Sequence, residues 1–279
     1  MDSAVSHLRT GAIVLGYNQQ EYIEYSLRSL LPHVEHAAVL VPDAPFAAYN
    51  PRAREQFTAR DGTREILAAL GREFGNLSVL EGVWHAEPEM RDAGLQHLRS
   101  HGAQVCLSVD ADEIYPDGAL ERLHSVIAEA DAPGTVYFAR YLTCYKSFEY
   151  VVESSHRMAV AVHLAPGTHF PRRRRASGAR RDLPDEIFFW HMGYVLSDER
   201  MWEKIRTFSH AHEVLPGWYQ EKWLAWTPET RDLFRKQPAS RWPRTVRIDP
   251  RVLPGILHGH PYFPEHARAE RGPAQRAAG

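Results

Sequence analysis

The stretch VCLSVDADEIY, residues 105–115, decides the fold and points to the site. It begins as a short apolar run rich in β-formers, which predicts a buried strand that ends at three carboxylates. Asp110 and Asp112 are two residues apart, so on an extended backbone both side chains point to the same side. Two such carboxylates repel each other unless a cation lies between them. Mg²⁺ and Mn²⁺ prefer oxygen ligands, so a divalent ion that carries a phosphate-bearing substrate is the natural candidate.

Strands and helices alternate upstream of this stretch. The sequence predicts strands at 12–17, 37–41, 77–80 and 105–109, and helices at 21–31, 63–74 and 89–101. This alternation indicates an α/β layer with a mostly parallel sheet, whose ligands bind outside the carboxyl ends of the strands. Asn18, Asp43 and Asp110 all fall at or just after those ends, so we expect them to share one cleft.

The pattern changes after Asp112. A helix is predicted at 119–130, strands at 135–145 and 158–163, and a short apolar strand at 187–191 that ends in His191. A helix is then predicted at 199–212, followed by a segment rich in Trp and Pro at 214–245. Residues 44–60 are expected to form a loop.

The overall composition is that of an ordinary globular protein. The chain has 279 residues, 44% of them hydrophobic, with a formal net charge of −2 and a pI near 6.8. This balance gives no reason to expect nucleic-acid binding. The sequence shows no signal peptide and no apolar run long enough to span a bilayer, and the two cysteines are expected to be buried thiols in a reducing compartment. We therefore expect a cytoplasmic protein.

Several of these features resemble a known family. The Tyr17-Asn18 pair after the first strand, Asp43 after the second, and the Asp110-Ala-Asp112-Glu113 strand end resemble nucleotide-sugar glycosyltransferases of the GT-A fold, especially the family-two-like group. The segment MRDAGL at 90–95 resembles the arginine-containing helix start of that group, although Asp92 stands where an Asn usually follows the arginine. The resemblance covers about residues 10–130 and, more loosely, 185–225.

The resemblance implies a GT-A-like (Rossmann-like) α/β fold, with a mostly parallel sheet flanked by helices and a C-terminal helical and aromatic extension. The catalytic domain would span 1–195, with a nucleotide-binding half at 10–113 and an acceptor half at 114–195. The helical extension would span 196–264, and a disordered tail would follow at 265–279.

The resemblance also implies a reaction and a set of roles. A sugar would pass from a nucleoside-diphosphate sugar to an acceptor, which could be a saccharide, a lipid-linked sugar or a small molecule. Mn²⁺ or Mg²⁺ would be held by Asp110, Asp112 and His191, the last placed there also because its strand end faces the ligand side. The nucleotide would be bound by Tyr17, Asn18, Asp43, Arg91 and Asp110.

Transfer with inversion needs a general base to deprotonate the acceptor hydroxyl. The pair Asp185-Glu186, just before the strand of His191, resembles the acidic motif of inverting members, and a solvated pair at a loop end is the alternative. Glu113, Glu153 and Asp182 are further candidates. A retaining enzyme would need no such base.

Two other groups of residues have open alternatives. Trp218, Tyr219 and Trp223 could form a platform on which an acceptor sugar stacks, or they could pack in a core. The arginine-rich segment 172–181 could close over a diphosphate, or it could be a solvated loop.

Two other functions remain possible from the sequence. A metal-dependent hydrolase would bring several histidines together around Asp110 and Asp112. A non-catalytic carbohydrate-binding protein would use the Trp cluster and keep the carboxylates for structure.

Overall fold

An eleven-stranded mixed sheet flanked by helices forms the framework of the protein. The computed structural model describes residues 8–46, 48, 60–230 and 244–268. The strands are β1 (Thr10–Leu15), β2 (His36–Pro42), β3 (Leu77–Gly82), β4 (Val105–Asp110), β5 (Glu113–Ile114), β6 (Thr135–Tyr145), β7 (Ser147–Val152), β8 (Arg157–His163), β9 (Ala179–Asp182), β10 (Phe188–Tyr194) and β11 (Thr245–Arg247). The helices are α1 (Ile23–Leu30), α2 (Thr63–Phe74), α3 (Glu87–Ser100), α4 (Ala119–Ala130), α5 (Asp198–Thr207) and α6 (Glu265–Arg268).

The first four strands form the parallel part of the sheet in the order β3-β2-β1-β4. The chain first moves outward from β1 to β2 and β3, and then returns to place β4 on the other side of β1. The carboxyl ends of β1 and β4 therefore border the point where the strand order reverses, which is where open α/β sheets bind ligands. The predicted α/β fold with a parallel sheet in this region is confirmed.

Side chains of the central strands alternate between two cores. Ala12 and Val14 of β1 face the core that contains Leu27 of α1, whereas Ile13 faces the core that contains Leu95 of α3. This follows from the two-residue period of a strand, and it makes the sheet the middle of three layers. α3 therefore lies on the opposite face from α1 and α2.

The second part of the sheet is mixed. β8 is antiparallel to both β4 and β6, and the long strand β6 also pairs with β10 in parallel. The short strand β5 follows the Asp110–Asp112 corner and pairs with β10, which sets Glu113 opposite His191. This pairing brings a residue from late in the chain to the carboxyl end of β4.

The C-terminal region differs from the predicted elements. α5 ends at Thr207 rather than at 212, and the backbone of Phe208 is extended. A short helix of the π type, Tyr219–Leu224, and several 3₁₀ turns follow. Of the disordered tail predicted at 265–279, residues 265–268 form α6 instead, and residues 269–279 lie outside the described residues. Most of the loop at 44–60 and part of the Trp- and Pro-rich segment also lie outside them. Among the helices that the structure describes, none is both long and apolar enough to cross a membrane.

Candidate active site

A cavity of about 970 Å³ opens at the carboxyl ends of β1 and β4. Its walls come from the turn after β1, from the corner after β4, from β10, from α5 and from the arginine-rich segment. The residues used below that line it are Tyr17, Asn18, Asp110, Asp112, Glu113, Arg173, Arg174, His191, Gly193, Arg200, Glu203 and Lys204. Residues that are far apart in the sequence thus share one cleft with both carboxylates of the opening stretch.

Asp110 is held from two sides by arginines. Arg91 of α3, which is fully buried, donates to Asp110 Oδ1 at 2.6 Å and also to the Ser108 hydroxyl and to Glu87. Arg174 donates to Asp110 Oδ2 at 3.4 Å. Burial opposes ionisation of this carboxyl, but the charges of the two arginines outweigh it and lower its pKa to about 2. Asp110 is therefore a fixed, ionised acceptor at the edge of the cavity.

Asp112 has a different cationic partner. Its Oδ2 accepts a hydrogen bond from Lys204 Nζ of α5 at 2.7 Å, and its Oδ1 lies 3.6 Å from His191 Nε2. Burial opposes ionisation of Asp112, and the charge of Lys204 more than compensates, so the pKa of the carboxyl is lowered. A lysine of the chain itself thus supplies part of the positive charge that balances the two carboxylates.

The third carboxylate of the opening stretch is the most buried of the three. Glu113 is 1% exposed and forms a two-pronged ion pair with Arg174, whose guanidinium also donates to the Ser108 and Ala159 carbonyls. Burial raises the pKa of Glu113 to about 7 despite the arginine. Because both of its oxygens accept hydrogen bonds from Arg174, Glu113 acts as a support for that arginine.

His191 stands beside Asp112 on β10. Its Nδ1 lies 3.2 Å from the Thr143 hydroxyl, which orients the ring and leaves Nε2 toward Asp112. Burial is the main cause that lowers the pKa of His191, so the imidazole is neutral and its Nε2 can act as a ligand.

Gly193 leaves the space that this arrangement needs. A Cβ atom at this position would lie 2.4 Å from Asp112 Oδ2, 2.4 Å from Lys204 Nζ and 2.7 Å from His191 Nε2. No side chain fits there without displacing the three groups. The glycine is required by this close approach rather than by an unusual backbone angle.

The turn after β1 forms the neighbouring wall. Asn18 has a positive φ of 48°, which asparagine tolerates better than most residues, and its Nδ2 donates to Glu203 Oε1 at 2.9 Å. Arg200 donates to the Asn18 carbonyl. Tyr17 is half-buried, and burial, followed by the charge of Glu203, raises its pKa to about 12, so its hydroxyl stays protonated.

The corner formed by Asp112, His191 and Gly193 has the geometry of a site for the divalent ion that the sequence suggests. Asp112 Oδ1 and His191 Nε2, 3.6 Å apart, can both reach one ion at about 2.1 Å from each. The open space beside Gly193 adjoins them. Both oxygens of Asp110 already accept from arginines, so Asp110 fits a supporting role better than a ligand role. Asp112 and His191 therefore fit a divalent ion, provided that Lys204 releases Asp112.

Some predicted site residues lie elsewhere. Asp43 forms ion pairs with Arg60 and Arg64, and the cavity is lined by its neighbour Pro42 instead. Asp185 and Glu186 are both exposed on the loop before β10 and are not part of the cavity lining. Asp185 forms ion pairs with Arg140 and Arg157.

The predicted aromatic platform is largely a core. Trp218 and Trp223 are buried with Tyr145 and Met201, and Trp223 Nε1 donates to Asp198 at 2.7 Å. Tyr219 is partly exposed and bonds to the Asp198 carbonyl. Because the faces of both tryptophans are covered by protein, core packing explains this cluster and sugar stacking does not.

For two residues of the site, Arg174 and Lys204, the sequence left open whether they reach a phosphate or lie on the surface. Arg174 belongs to a run of four arginines, and the run gives no local sign that this one is buried. Lys204 lies on a helix whose pattern resembles an ordinary surface helix, and its partner Asp112 is 92 positions away. Only the tertiary fold brings them to the carboxylates.

Comparisons with known proteins find only distant structural similarity. No protein-family model matches the sequence, and no curated protein matches it. S. aureus TarS is 15% identical, with a TM-score of 0.46 over 83% of this chain and 46% of the TarS chain. TarS 1-349 in complex with UDP-GlcNAc is 16% identical, with a TM-score of 0.46 over 71% of this chain and 65% of its own.

A third structure is the mannosyltransferase PcManGT from Pyrobaculum calidifontis in complex with GDP-Man and Mn²⁺. It is 13% identical, with a TM-score of 0.42 over 73% of this chain and 63% of its own. This chain thus spans less than half of the TarS chain and under two thirds of PcManGT. At this level of similarity, the case for a function rests on the geometry of the cleft.

Proposed function

We propose that this protein is a glycosyltransferase that moves a sugar from a nucleoside-diphosphate sugar to an acceptor. One observation carries the proposal. Asp110, Asp112, His191 and Lys204 converge in a large cavity at the reversal point of a parallel sheet. A cavity of about 970 Å³ is at the upper end of the usual range for ligand sites, large enough for a nucleotide sugar.

The nucleotide would lie against the turn after β1. Tyr17 offers an aromatic face and a protonated hydroxyl, and Asn18 offers polar groups beside it. Asp110 stays ionised and would accept hydrogen bonds from ribose hydroxyls. Arg91 has no exposed surface, so its role would be to orient Asp110 rather than to touch the donor. Asp43 remains a prediction for this pocket.

The charge balance favours a divalent ion that arrives with the donor. Around Asp110 and Asp112, four carboxyl groups, namely Glu87, Asp110, Asp112 and Glu113, form ion pairs with three cations, Arg91, Arg174 and Lys204. This cluster therefore has no excess positive charge for a diphosphate. Mn²⁺ or Mg²⁺, held by Asp112 and His191 with Asp110 in support, would supply it and stabilise the negative charge of the leaving diphosphate.

Lys204 would change partners in this scheme. In the structure its ammonium group is hydrogen-bonded to Asp112. Once the donor is bound, the same group would donate to a phosphate oxygen, because it then loses Asp112 to the ion. The lysine would add to the stabilisation of the leaving group without leaving the cleft.

The acceptor is expected to enter on the side of the arginine-rich segment, where Arg173 pairs with Glu213 at the cavity edge. Asp185 and Glu186 stay as the predicted bases for an inverting reaction. For them to act, the loop before β10 would have to bring them into the cleft.

The two alternative functions have less support. The hydrolase requires several histidines around the carboxylates. Among the described residues, His191 is the one histidine that lies beside Asp112. The carbohydrate-binding alternative relies on tryptophans whose faces are buried. The transferase uses more of the groups that the cleft brings together.

The direct test is nucleotide binding with and without metal. We expect isothermal titration calorimetry to show that UDP or GDP binds in the presence of Mn²⁺ and much more weakly after addition of EDTA. A panel of UDP- and GDP-sugars should then release nucleotide only with metal present. The variant Asp112→Asn should lose both effects, and the exposed control Glu65→Gln should keep them.

Two results would contradict the proposal. One is that neither nucleotide binds to the folded wild-type protein with Mn²⁺ or Mg²⁺. The other is that Asp112→Asn binds and turns over donors as well as the wild type does.

A further inference from the structure

Three histidines meet at the end of the sheet opposite to the cleft. His36 begins β2, and His97 and His101 lie near the end of α3, four residues apart and hence on the same side of the helix. One nitrogen from each lies within 4.8 Å of the other two. In the part of the chain that the structure describes, this is the one such group of three potential ligands. We propose that these histidines form a binding site for a transition-metal ion of the zinc type.

The spacing of the first two nitrogens suits a tetrahedral ion. His36 Nε2 and His97 Nε2 are 3.4 Å apart. Two nitrogens at about 2.05 Å from one ion, at the tetrahedral angle, are separated by about 3.4 Å. Two of the three ligands therefore stand in position, and they come from elements that pack against each other.

The third histidine has the freedom to complete the set. His101 is exposed at the C-terminal cap of α3, and its ring stacks on His36 at a centroid distance of 4.0 Å. Its Nδ1 lies 3.0 Å from the His97 carbonyl. A rotation of this exposed ring would turn a nitrogen toward the ion. Ser78 Oγ, 2.8 Å from His36 Nε2, or a water molecule could provide the fourth ligand.

The donor set selects the class of ion. Three imidazole nitrogens without a carboxylate suit Zn²⁺, Cu²⁺ or Ni²⁺, whereas Mg²⁺ and Mn²⁺ prefer oxygen ligands. Burial, and after it the neighbouring imidazoles, lower the pKa values of His36 and His97, so both rings are in the neutral form that binds metal. The ion would cross-link the end of α3 to β2. Because it would bind the folded protein only, it would stabilise the folded state.

The site is separate from the cleft. β2 runs from His36 to Pro42, and Pro42 lines the cavity, so the two ends are about 20 Å apart at roughly 3.3 Å per residue. The proposal therefore does not depend on the proposed transfer reaction. Binding can be measured on the purified protein without any substrate.

The test is a Zn²⁺ titration of metal-free protein, followed by calorimetry and by the melting temperature. We expect one tight binding event and a rise in the melting temperature of the wild type. Loss of an outer partner of a metal ligand already weakens binding about 10- to 100-fold, so His97→Ala should weaken this event by at least about 100-fold. His101→Ala should also weaken it, and this exposed change is compatible with normal folding.

Two control variants identify the site. His169→Ala removes an exposed histidine elsewhere and should leave binding unchanged, and His191→Ala removes the histidine of the cleft and should keep the tight event. Circular dichroism without metal should show that all variants are folded. The proposal is overturned if no tight event occurs, if folded His101→Ala and His97→Ala bind as the wild type does, or if the event is lost in His191→Ala.

Discussion

The two walls of the cleft are built in different ways. The strand wall, Tyr17, Asn18, Asp110 and Asp112, follows directly from the ends of β1 and β4. The cation wall, Arg174, His191 and Lys204, comes from a loop, from a strand paired through β5, and from α5. The strand wall provides the carboxylates. In the cation wall Arg174 and Lys204 carry the positive charge that balances them, and the neutral His191 lies beside Asp112.

This difference shows which residues of the site are positioned by the local sequence pattern and which are positioned by the tertiary fold. A carboxylate at the end of a buried strand is placed by the geometry of the sheet, whatever follows it in the chain. A lysine that meets that carboxylate from a distant helix depends on how the second half of the sheet folds back. The two walls should therefore respond differently to mutation.

The largest effect of a mutation on activity is expected at Gly193, where Asp112 of the strand wall contacts Lys204 of the cation wall. Gly193→Ala would put a Cβ 2.4 Å from both Asp112 Oδ2 and Lys204 Nζ, so these groups would have to separate. We expect the proposed transferase activity to fall at least about 100-fold, as when one group that stabilises a transition state is lost. Steady-state kinetics and thermal unfolding of the purified variant would measure this.

Gly255→Ala is the matched control, because a Cβ there would have no neighbour within 4 Å. It should retain activity and stability. Equal activity of the two variants would mean that the contact among Asp112, Lys204 and His191 has no role in the reaction.

A second prediction concerns the cation wall alone. Lys204→Met removes the ammonium group but keeps much of the length of the side chain. We expect kcat to fall about 10- to 100-fold, since a divalent ion can replace part of the lost charge. Lys222→Met is a suitable control because Lys222 is not part of the cavity lining. An unchanged kcat in Lys204→Met would mean that Lys204 only pairs with Asp112 in the absence of substrate and has no role in the reaction.

A third prediction uses the buried support of the cation wall. The pKa of Glu113 is raised from 4.5 to about 7, so its protonated form is favoured in the folded protein. The stability that comes with this preference is present below pH 4.5 and is lost as the pH rises through 7. Glu113→Gln removes the titration.

The difference in unfolding free energy between Glu113→Gln and wild type should therefore shift in favour of the variant between pH 4.5 and 7.5. The shift should be up to about 3 kcal/mol, which corresponds to the change in pKa. Urea denaturation across this pH range would measure it, and the difference cancels the titration of histidines common to both proteins. A difference that is constant with pH would show that Glu113 does not titrate in this range.

The smallest effect is expected outside both walls. Asp185 is exposed and forms ion pairs with Arg140 and Arg157, and exposed pairs contribute about 0–1 kcal/mol. If the loop keeps its position, Asp185→Asn should change kcat less than about threefold and leave stability nearly unchanged. A loss of 100-fold or more with a normal fold would instead support the predicted role as a base.

The sequence predicted much of the strand wall and less of the cation wall. The apolar runs before Asn18 and Asp110 were enough to place both at one edge of a parallel sheet, because strand period and alternation with helices are local signals. His191 was also predicted, from the apolar strand that precedes it.

Arg174 and Lys204 could not be distinguished in the same way. Four consecutive arginines look alike until the fold buries one of them against Glu113. The tryptophans were ambiguous for a related reason, since clustering along the chain does not show which face is covered. Side chains whose partners lie far away in the sequence need the tertiary structure.

The need for a glycine at position 193 provides a sequence signature by which the same arrangement can be recognised in other chains. A chain with the same cleft should have an apolar strand that contains a histidine and, two positions later, a glycine, as in His191-Met192-Gly193 within β10. A larger residue at the last position would force the acidic and basic groups apart. The triplet can therefore distinguish related chains in which Asp112, Lys204 and His191 can lie in close contact from chains in which a larger side chain keeps these groups apart.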